Sequence, residues 1–184
     1  MGRPKALLPF GPEALLVRVL RSCAEACDEL VVVAAAGQPL PSLPAGTKVV
    51  RDASPGEGPL EGLAAGLAAV AAPSAFCVPC DAAFLRPDLA GLLFDSLGDG
   101  LAARGVVEGE TRPLPAVYRT SLASRAAALV REGRRRVRDL VGDEETSLVR
   151  EPALRVVDPD LGSFRNLNTP EEYAVALREA GWGA

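Results

Sequence analysis

The chain has 184 residues, 48% of them in the AVILMFWYC set, 24% charged and 4% aromatic. That length and mix can bury one sizeable core and exclude disorder, collagen and coiled coil, so a single domain over residues 1–184 is expected. The net charge of −4, from 20 Lys+Arg against 24 Asp+Glu, argues against a surface that coats nucleic acid.

The longest apolar runs, residues 30–36 and 63–72, fall short of the ~20 residues that cross a bilayer. No basic segment leading into an apolar one opens the sequence, so a cytoplasmic protein with neither a membrane nor a nucleic-acid partner is expected. Charge is unevenly spread: residues 1–100 hold 7 basic and 11 acidic side chains, and residues 101–184 hold 13 of each. Arg131, Arg134, Arg135, Arg136 and Arg138 form a dense cluster in the second half, which is where contact with a polyanion is expected.

Taken in chain order, residues 12–27 place Leu15, Leu16, Val19, Leu20, Cys23 and Cys27 at helical spacing behind Pro12, which predicts an amphipathic helix. Residues 29–36 form a valine-rich run suited to a strand covered on both faces, and residues 47–51 repeat the pattern more weakly. Residues 60–72, rich in Ala, predict a helix, and residues 75–79 a second buried strand ending at Cys80-Asp81. Residues 101–107 and 112–119 predict extended segments around a Glu108-Gly109-Glu110 turn, an antiparallel addition to an otherwise parallel α/β sheet. Helices are expected over 121–132 and 137–141, and a strand over 154–158. A last helix should start at Thr169-Pro170-Glu171-Glu172, whose Thr and second Glu can form a capping box.

Histidine is absent, which removes Ser-His-Asp and Cys-His catalysis and imidazole metal sites. Chemistry must use carboxylates, Arg, Lys, amides or a metal on oxygen ligands. The cysteines, Cys23 and Cys27 then Cys77 and Cys80, read as buried reduced thiols, since a zinc site would need both pairs to converge.

In an open α/β sheet, ligands bind beyond the carboxyl ends of the strands. Asp52 and Asp81 both fall there. Either could be a loop or capping residue; two at matching positions point to an oxygen-ligand site for Mg²⁺. Between them, Ser54-Pro55-Gly56-Glu57-Gly58-Pro59-Leu60-Glu61-Gly62-Leu63 is either an ordinary helix entrance or a loop that offers backbone N–H groups to a base or phosphate. Gly2-Arg3-Pro4-Lys5, ahead of Ala6-Leu7-Leu8-Pro9-Phe10-Gly11, reads as a solvated terminus or a phosphate-facing loop.

These two segments, with Cys80-Asp81, Pro113-Leu114-Pro115-Ala116-Val117-Tyr118 and Asn166-Leu167-Asn168-Thr169-Pro170-Glu171-Glu172, follow one another in the order seen in the MobA-like nucleotidyltransferases. The chain resembles that family over nearly its whole length, and within it the molybdenum cofactor guanylyltransferase branch. The resemblance implies a Rossmann-like three-layer nucleotidyltransferase fold, mostly parallel with an antiparallel addition. It also implies a nucleotide-binding half over 1–100 and a pterin-substrate half over 101–184.

The implied reaction moves GMP from GTP to molybdopterin-bound molybdenum, with Mg²⁺ as cofactor and pyrophosphate released. Transient contacts with other cofactor-biosynthesis proteins or apo-molybdoenzymes would accompany it. By position, Lys5 resembles the lysine on the nucleotide phosphates, Asp52 a nucleotide-contacting aspartate, and Asp81 the metal-binding aspartate. Gly58, Pro59, Leu60 and Gly62 fall where guanine is recognised. Asn166 and Asn168 resemble paired asparagines near the reacting phosphates and metal, on the pterin side, and Arg135 and Arg138 fall where the pterin is received. Lys5, Asp81 and Asn168 are the implied catalytic set.

Two departures stand out. The family opens with a central strand and a loop of the type Leu-x-Gly-Gly-x-Ser-x-Arg-Met-Gly, whereas this sequence opens at its closing Met-Gly, which predicts a gap in the middle of the sheet. Ala34-Ala35-Ala36 also stands where relatives often carry an Asn toward the nucleotide. A cytidylyltransferase of the same fold and a non-catalytic binding or adaptor protein are the alternative readings.

Overall fold

The computed structural model describes residues 4–52 and 58–183, the Asp52 side chain excepted. Valines at 31–33 build β3 (Val31–Ala35), which pairs in parallel with β4 (Lys48–Asp52), Val31 opposite Lys48 and Ala35 opposite Asp52. A second sheet runs in the order β5 (Ser74–Cys77), β7 (Glu110–Arg119), β6 (Ala102–Val107), β8 (Thr146–Arg150). In it β7 is antiparallel to β5 and β6, and β6 is parallel to β8. Three of its strands therefore share a direction and β7 alone opposes them. Among the described residues no strand pairs with the free edges of β3 and β5, so the sheet is interrupted between them.

Helices cover both faces, as side-chain alternation along the strands requires. On one face α2 (Pro59–Ala69) and α4 (Ala123–Arg131) bury Leu60, Leu63, Leu67 and Ala126 against Ala102, Ala116 and Tyr118. On the other, α3 (Pro87–Ser96) and α5 (Glu151–Val157) bury Leu89, Leu93 and Leu154 against Ala103, Val117 and Val149. The result is three layers. Tyr118 is fully buried and donates its hydroxyl to the Pro113 carbonyl at 2.7 Å; burial pushes its pKa up to about 12.

Several elements differ from expectation. Residues 9–14 form a small antiparallel hairpin, β1 (Pro9–Phe10) and β2 (Glu13–Ala14), which delays the first helix to α1 (Leu15–Ala24) and puts Pro12 in the turn. Residues 154–158 are not a strand. Pro152 sits in the first turn of α5, and the segment buries Leu154 while leaving Val156 81% exposed, the one-sided pattern of a surface helix. The strand lies just upstream, at β8. The stretch over 137–141 is a 3₁₀ turn, Val137–Asp139. The last helix, α6 (Pro170–Glu179), has the full capping box, with Thr169 accepting from the Glu172 N–H and the Glu172 carboxylate accepting from Thr169 N–H. No helix among the described residues is long and apolar enough to cross a membrane.

Candidate active site

The first helical turn, Lys5–Leu7, is anchored by Ala6, buried beside Leu16, Leu20 and Val32. This fixes Lys5 at the carboxyl end of the sheet, half-exposed. Its ammonium donates to Asp81 Oδ2 at 2.6 Å and to Asn168 Oδ1 at 2.8 Å. Asp81 is 6% exposed and sits in the turn after β5, where the Ala83 N–H donates to the Asp81 carbonyl at 3.0 Å. Asn168 follows Leu167, which is fully buried beside Leu8, Phe10 and Leu15, so the amide stays exposed while its backbone is held. The Asn168 N–H also donates to Glu172 at 2.7 Å. Three separate stretches of chain thus deliver an ammonium, a carboxylate and an amide to one point.

Lys5 and Asp81 line a cavity of about 800 Å³ together with Pro59, Gly62, Leu63 and Leu114. Gly58 takes φ +93°, a left-handed conformation that favours glycine, and a Cβ there would meet the Arg135 Cβ and carbonyl oxygen, each at 3.1 Å. The Leu60 N–H donates to that same carbonyl at 3.2 Å. The start of α2 and the Arg cluster are therefore in direct contact, and Arg135 turns its guanidinium to the Val130 carbonyl at 2.9 Å.

The structure brings Lys5, Asp81 and Asn168 together, and puts Pro59 and Gly62 on the same cavity. The Leu60 side chain is fully buried, and its N–H donates to the Arg135 carbonyl. Asn166 and Arg138 are exposed and do not line the cavity. Asp52 closes β4; its side chain, with Gly2, Arg3 and residues 53–57, lies outside the described residues.

The cysteines also depart from expectation. All four are free, but Cys23, Cys27 and Cys77 are only half-buried and Cys80 is exposed. Desolvation pushes the Cys23 and Cys77 thiols up to about 12, so these two stay protonated and unreactive near neutrality.

Sequence reasoning missed Arg18. From an otherwise apolar face of α1 its Nε donates to the Ala83 carbonyl at 2.6 Å, with the guanidinium 5.0 Å from the centre of the Phe10 ring. It ties α1 to the turn that carries Asp81, and burial lowers its pKa. The available signal was a cation between Leu15, Leu16, Val19 and Leu20. Among the described residues no group of three or more His, Cys, Asp or Glu converges on a metal-sized site; the polar groups that do meet supply hard oxygen donors and one ammonium.

The three-layer mixed α/β fold thus gathers a lysine, a carboxylate and an amide at one point beside a cavity, a set of groups suited to phosphate esters. Comparison with known proteins gives the family. Residues 1–148 match the model of the MobA-like NTP transferase domain, and the chain belongs to that family.

Among its relatives, the probable molybdenum cofactor guanylyltransferase of Mycobacterium avium is 36% identical over 98% of this chain and 89% of its own. That of Mycobacterium marinum is 34% identical over 97% and 87%. Among solved structures, molybdopterin-guanine dinucleotide biosynthesis protein A from Archaeoglobus fulgidus superposes with a TM-score of 0.80 at 20% identity, covering 98% of this chain and 92% of that one. The 2-C-methyl-D-erythritol 4-phosphate cytidylyltransferase of Thermus thermophilus gives 0.72 at 20%, covering 97% and 94%. These two likenesses concern the fold.

Proposed function

We propose that this nucleotidyltransferase moves GMP from GTP to the terminal phosphate of molybdopterin carrying molybdenum and releases pyrophosphate. The observation that carries the reading is the meeting of Lys5 Nζ with Asp81 Oδ2 and Asn168 Oδ1, at a cavity that Pro59 and Gly62 also line. The guanylyltransferase names of relatives at 34–36% identity support the choice of substrates.

The attacking group is a phosphate monoester with a second pKa of ~6, already largely anionic near neutral pH. No general base is needed, in keeping with a chain that lacks histidine. The barrier is repulsion between two anions and charge gathering on the leaving pyrophosphate. Lys5 can exchange Asp81 for a phosphate oxygen, while Asn168 orients the oxygens beside it and the start of α2 positions the guanosine.

Asp81 and Asn168 are hard oxygen donors of the kind Mg²⁺ accepts, an ion commonly held by one or two carboxylates with substrate phosphates filling the rest of its shell. They would hold that ion, and its contribution would be Lewis-acid neutralisation of phosphate charge. GTP as donor goes with a cytoplasmic location. Arg135 and Arg138, with Asn166, are assigned to the pterin side, and Asp52 to the nucleotide.

The test is pyrophosphate release by the purified chain with molybdenum-loaded molybdopterin and either GTP or CTP. Release with GTP at least ~10-fold faster than with CTP, a difference of about 1.4 kcal/mol in barrier, supports the reading. Preference for CTP replaces it with a cytidylyltransferase.

A further inference from the structure

Arg104 is the one charged side chain in β6, and it is 2% exposed. Among the described residues it forms no ion pair. Its Nη1 donates to the Val141 carbonyl at 3.1 Å, while Nε and Nη2 are buried without an acceptor at hydrogen-bonding geometry. A charge buried on these terms is costly, and an apolar side chain of similar bulk would fill the same part of the core at less cost. What an apolar side chain cannot do is hold a carbonyl oxygen in place.

That carbonyl closes the stretch of chain bearing the Arg cluster. Residues 134–141 are pinned at two points: the Arg135 carbonyl accepts the Leu60 N–H from α2 at 3.2 Å, and the Val141 carbonyl accepts Arg104. Between them Val137 and Leu140, with Val141 itself, are buried beside Leu60, Leu63 and Tyr118, and Arg136 and Arg138 are left exposed. Apolar burial holds the stretch down but has no direction. The two hydrogen bonds fix where along the core it lies.

Arg104 is itself held from below. Its guanidinium carbon lies 5.4 Å from the centre of the Tyr118 ring, and the Tyr118 hydroxyl donates to the Pro113 carbonyl at 2.7 Å. Leu114, the next residue, lines the large cavity beside Lys5 and Asp81. A continuous line of buried contacts therefore runs from the cavity wall through Tyr118 and Arg104 to Val141.

We propose that Arg104 is a positioning residue for the acceptor substrate. Through the Val141 carbonyl it sets where Arg135 and Arg138 stand relative to the start of α2, and so how well an anionic acceptor is received, without touching either substrate. The inference rests on the assignment of those two arginines to the pterin side. Its effect falls on the acceptor, because Lys5, Asp81 and Asn168 hold one another by separate contacts and the bond from Leu60 to Arg135 does not involve Arg104.

The experiment compares the parent with Arg104→Met, which keeps much of the bulk and loses the donor, and with Arg104→Lys, which keeps a donor and the charge. Calorimetry measures molybdenum-loaded molybdopterin and GTP separately, and GMP transfer is followed against acceptor concentration at saturating GTP. In Arg104→Met the Kd and KM for the acceptor are expected to rise about 10-fold, with the Kd for GTP within about twofold of the parent's. Arg104→Lys should bring the acceptor back to within about threefold. The urea midpoint of Arg104→Met should equal or exceed the parent's, since a buried unpaired charge has been removed.

The proposal is overturned if Arg104→Met binds the acceptor as the parent does, if GTP is weakened as much as the acceptor, or if Arg104→Lys is no better than Arg104→Met. An Arg104→Met chain that does not fold assigns the guanidinium to stability and overturns it too. A parent that neither binds molybdopterin nor transfers GMP to it overturns the proposed function and this inference together. A parent that does both, matched by Arg104→Met, overturns the inference alone.

Discussion

The Lys5 ammonium lies 2.6 Å from Oδ2 of Asp81, joining residues 76 positions apart in sequence. The carboxylate is nearly buried and the lysine keeps about a third of its side-chain surface in water, so the cation can leave the pair for an incoming anion while Asp81 stays in place. In the proposed function Lys5 makes that exchange with a phosphate oxygen of the nucleotide.

Replacing Lys5 with alanine should weaken GTP about 10- to 100-fold by removing a charge-assisted contact to phosphate. Guanosine, which lacks phosphates, should bind within about twofold of the parent protein. Calorimetry with both ligands checks this. An equal loss for guanosine would mean that Lys5 acts through the fold.

Gly58→Ala should destabilise the protein by about 1–3 kcal/mol, because alanine at φ +93° is strained and its Cβ meets the Arg135 backbone as well as its side chain. Urea unfolding measures the change. Stability equal to the parent's would show that the α2 entrance can shift away from Arg135.

Arg18→Met keeps the bulk of the side chain and removes the hydrogen bond to the Ala83 carbonyl and the stacking on Phe10. A loss of about 1–2 kcal/mol is expected. The resonances of Asp81 and Ala82 should move, since the tether on their turn is gone; an unchanged spectrum there would limit Arg18 to packing.

Glu172 is held below its ordinary value by the N–H groups of Asn168 and Thr169. A depressed carboxylate stabilises the native state above its unfolded pKa of ~4.3, and that contribution fades as pH falls through the lower folded value. Protection of the Asn168 and Thr169 amides, measured against their intrinsic exchange rates, should therefore be lost in the parent as pH falls below the ordinary glutamate range. In Glu172→Gln that loss of protection should be absent, and a loss that persists would assign the effect to another group.

How much of this could be read from residues alone depended on whether the signal was local. The capping box at Thr169 and Glu172 was legible because all its parts lie within four residues. The valine run of β3 was legible because a strand buried on both faces needs no alternation. The helix Glu151–Val157 was misread, since Leu154, Val156 and Val157 fit a short strand until it is known that Val156 faces water. Leu60 lies inside a glycine-rich motif and draws the same reading as its neighbours, and its burial and its contact with Arg135 depend on residues 75 positions away, which no local pattern shows. Arg18 was not foreseen because its partner, the Ala83 carbonyl, is 65 residues away. The resemblance of the linear motifs supplied Lys5, Asp81 and Asn168 as a set, and the packing of Ala6 and Leu167 explains physically why they meet.

The most direct measurement is transfer of labelled GMP from GTP to molybdenum-loaded molybdopterin by Asp81→Asn, a variant that keeps the shape of the side chain and removes its charge. Transfer should fall at least ~100-fold, about 2.7 kcal/mol in barrier, with circular dichroism and urea midpoint close to the parent's. Transfer within a few-fold of the parent, at the same divalent-ion dependence, would contradict the place given to Asp81 and with it the site.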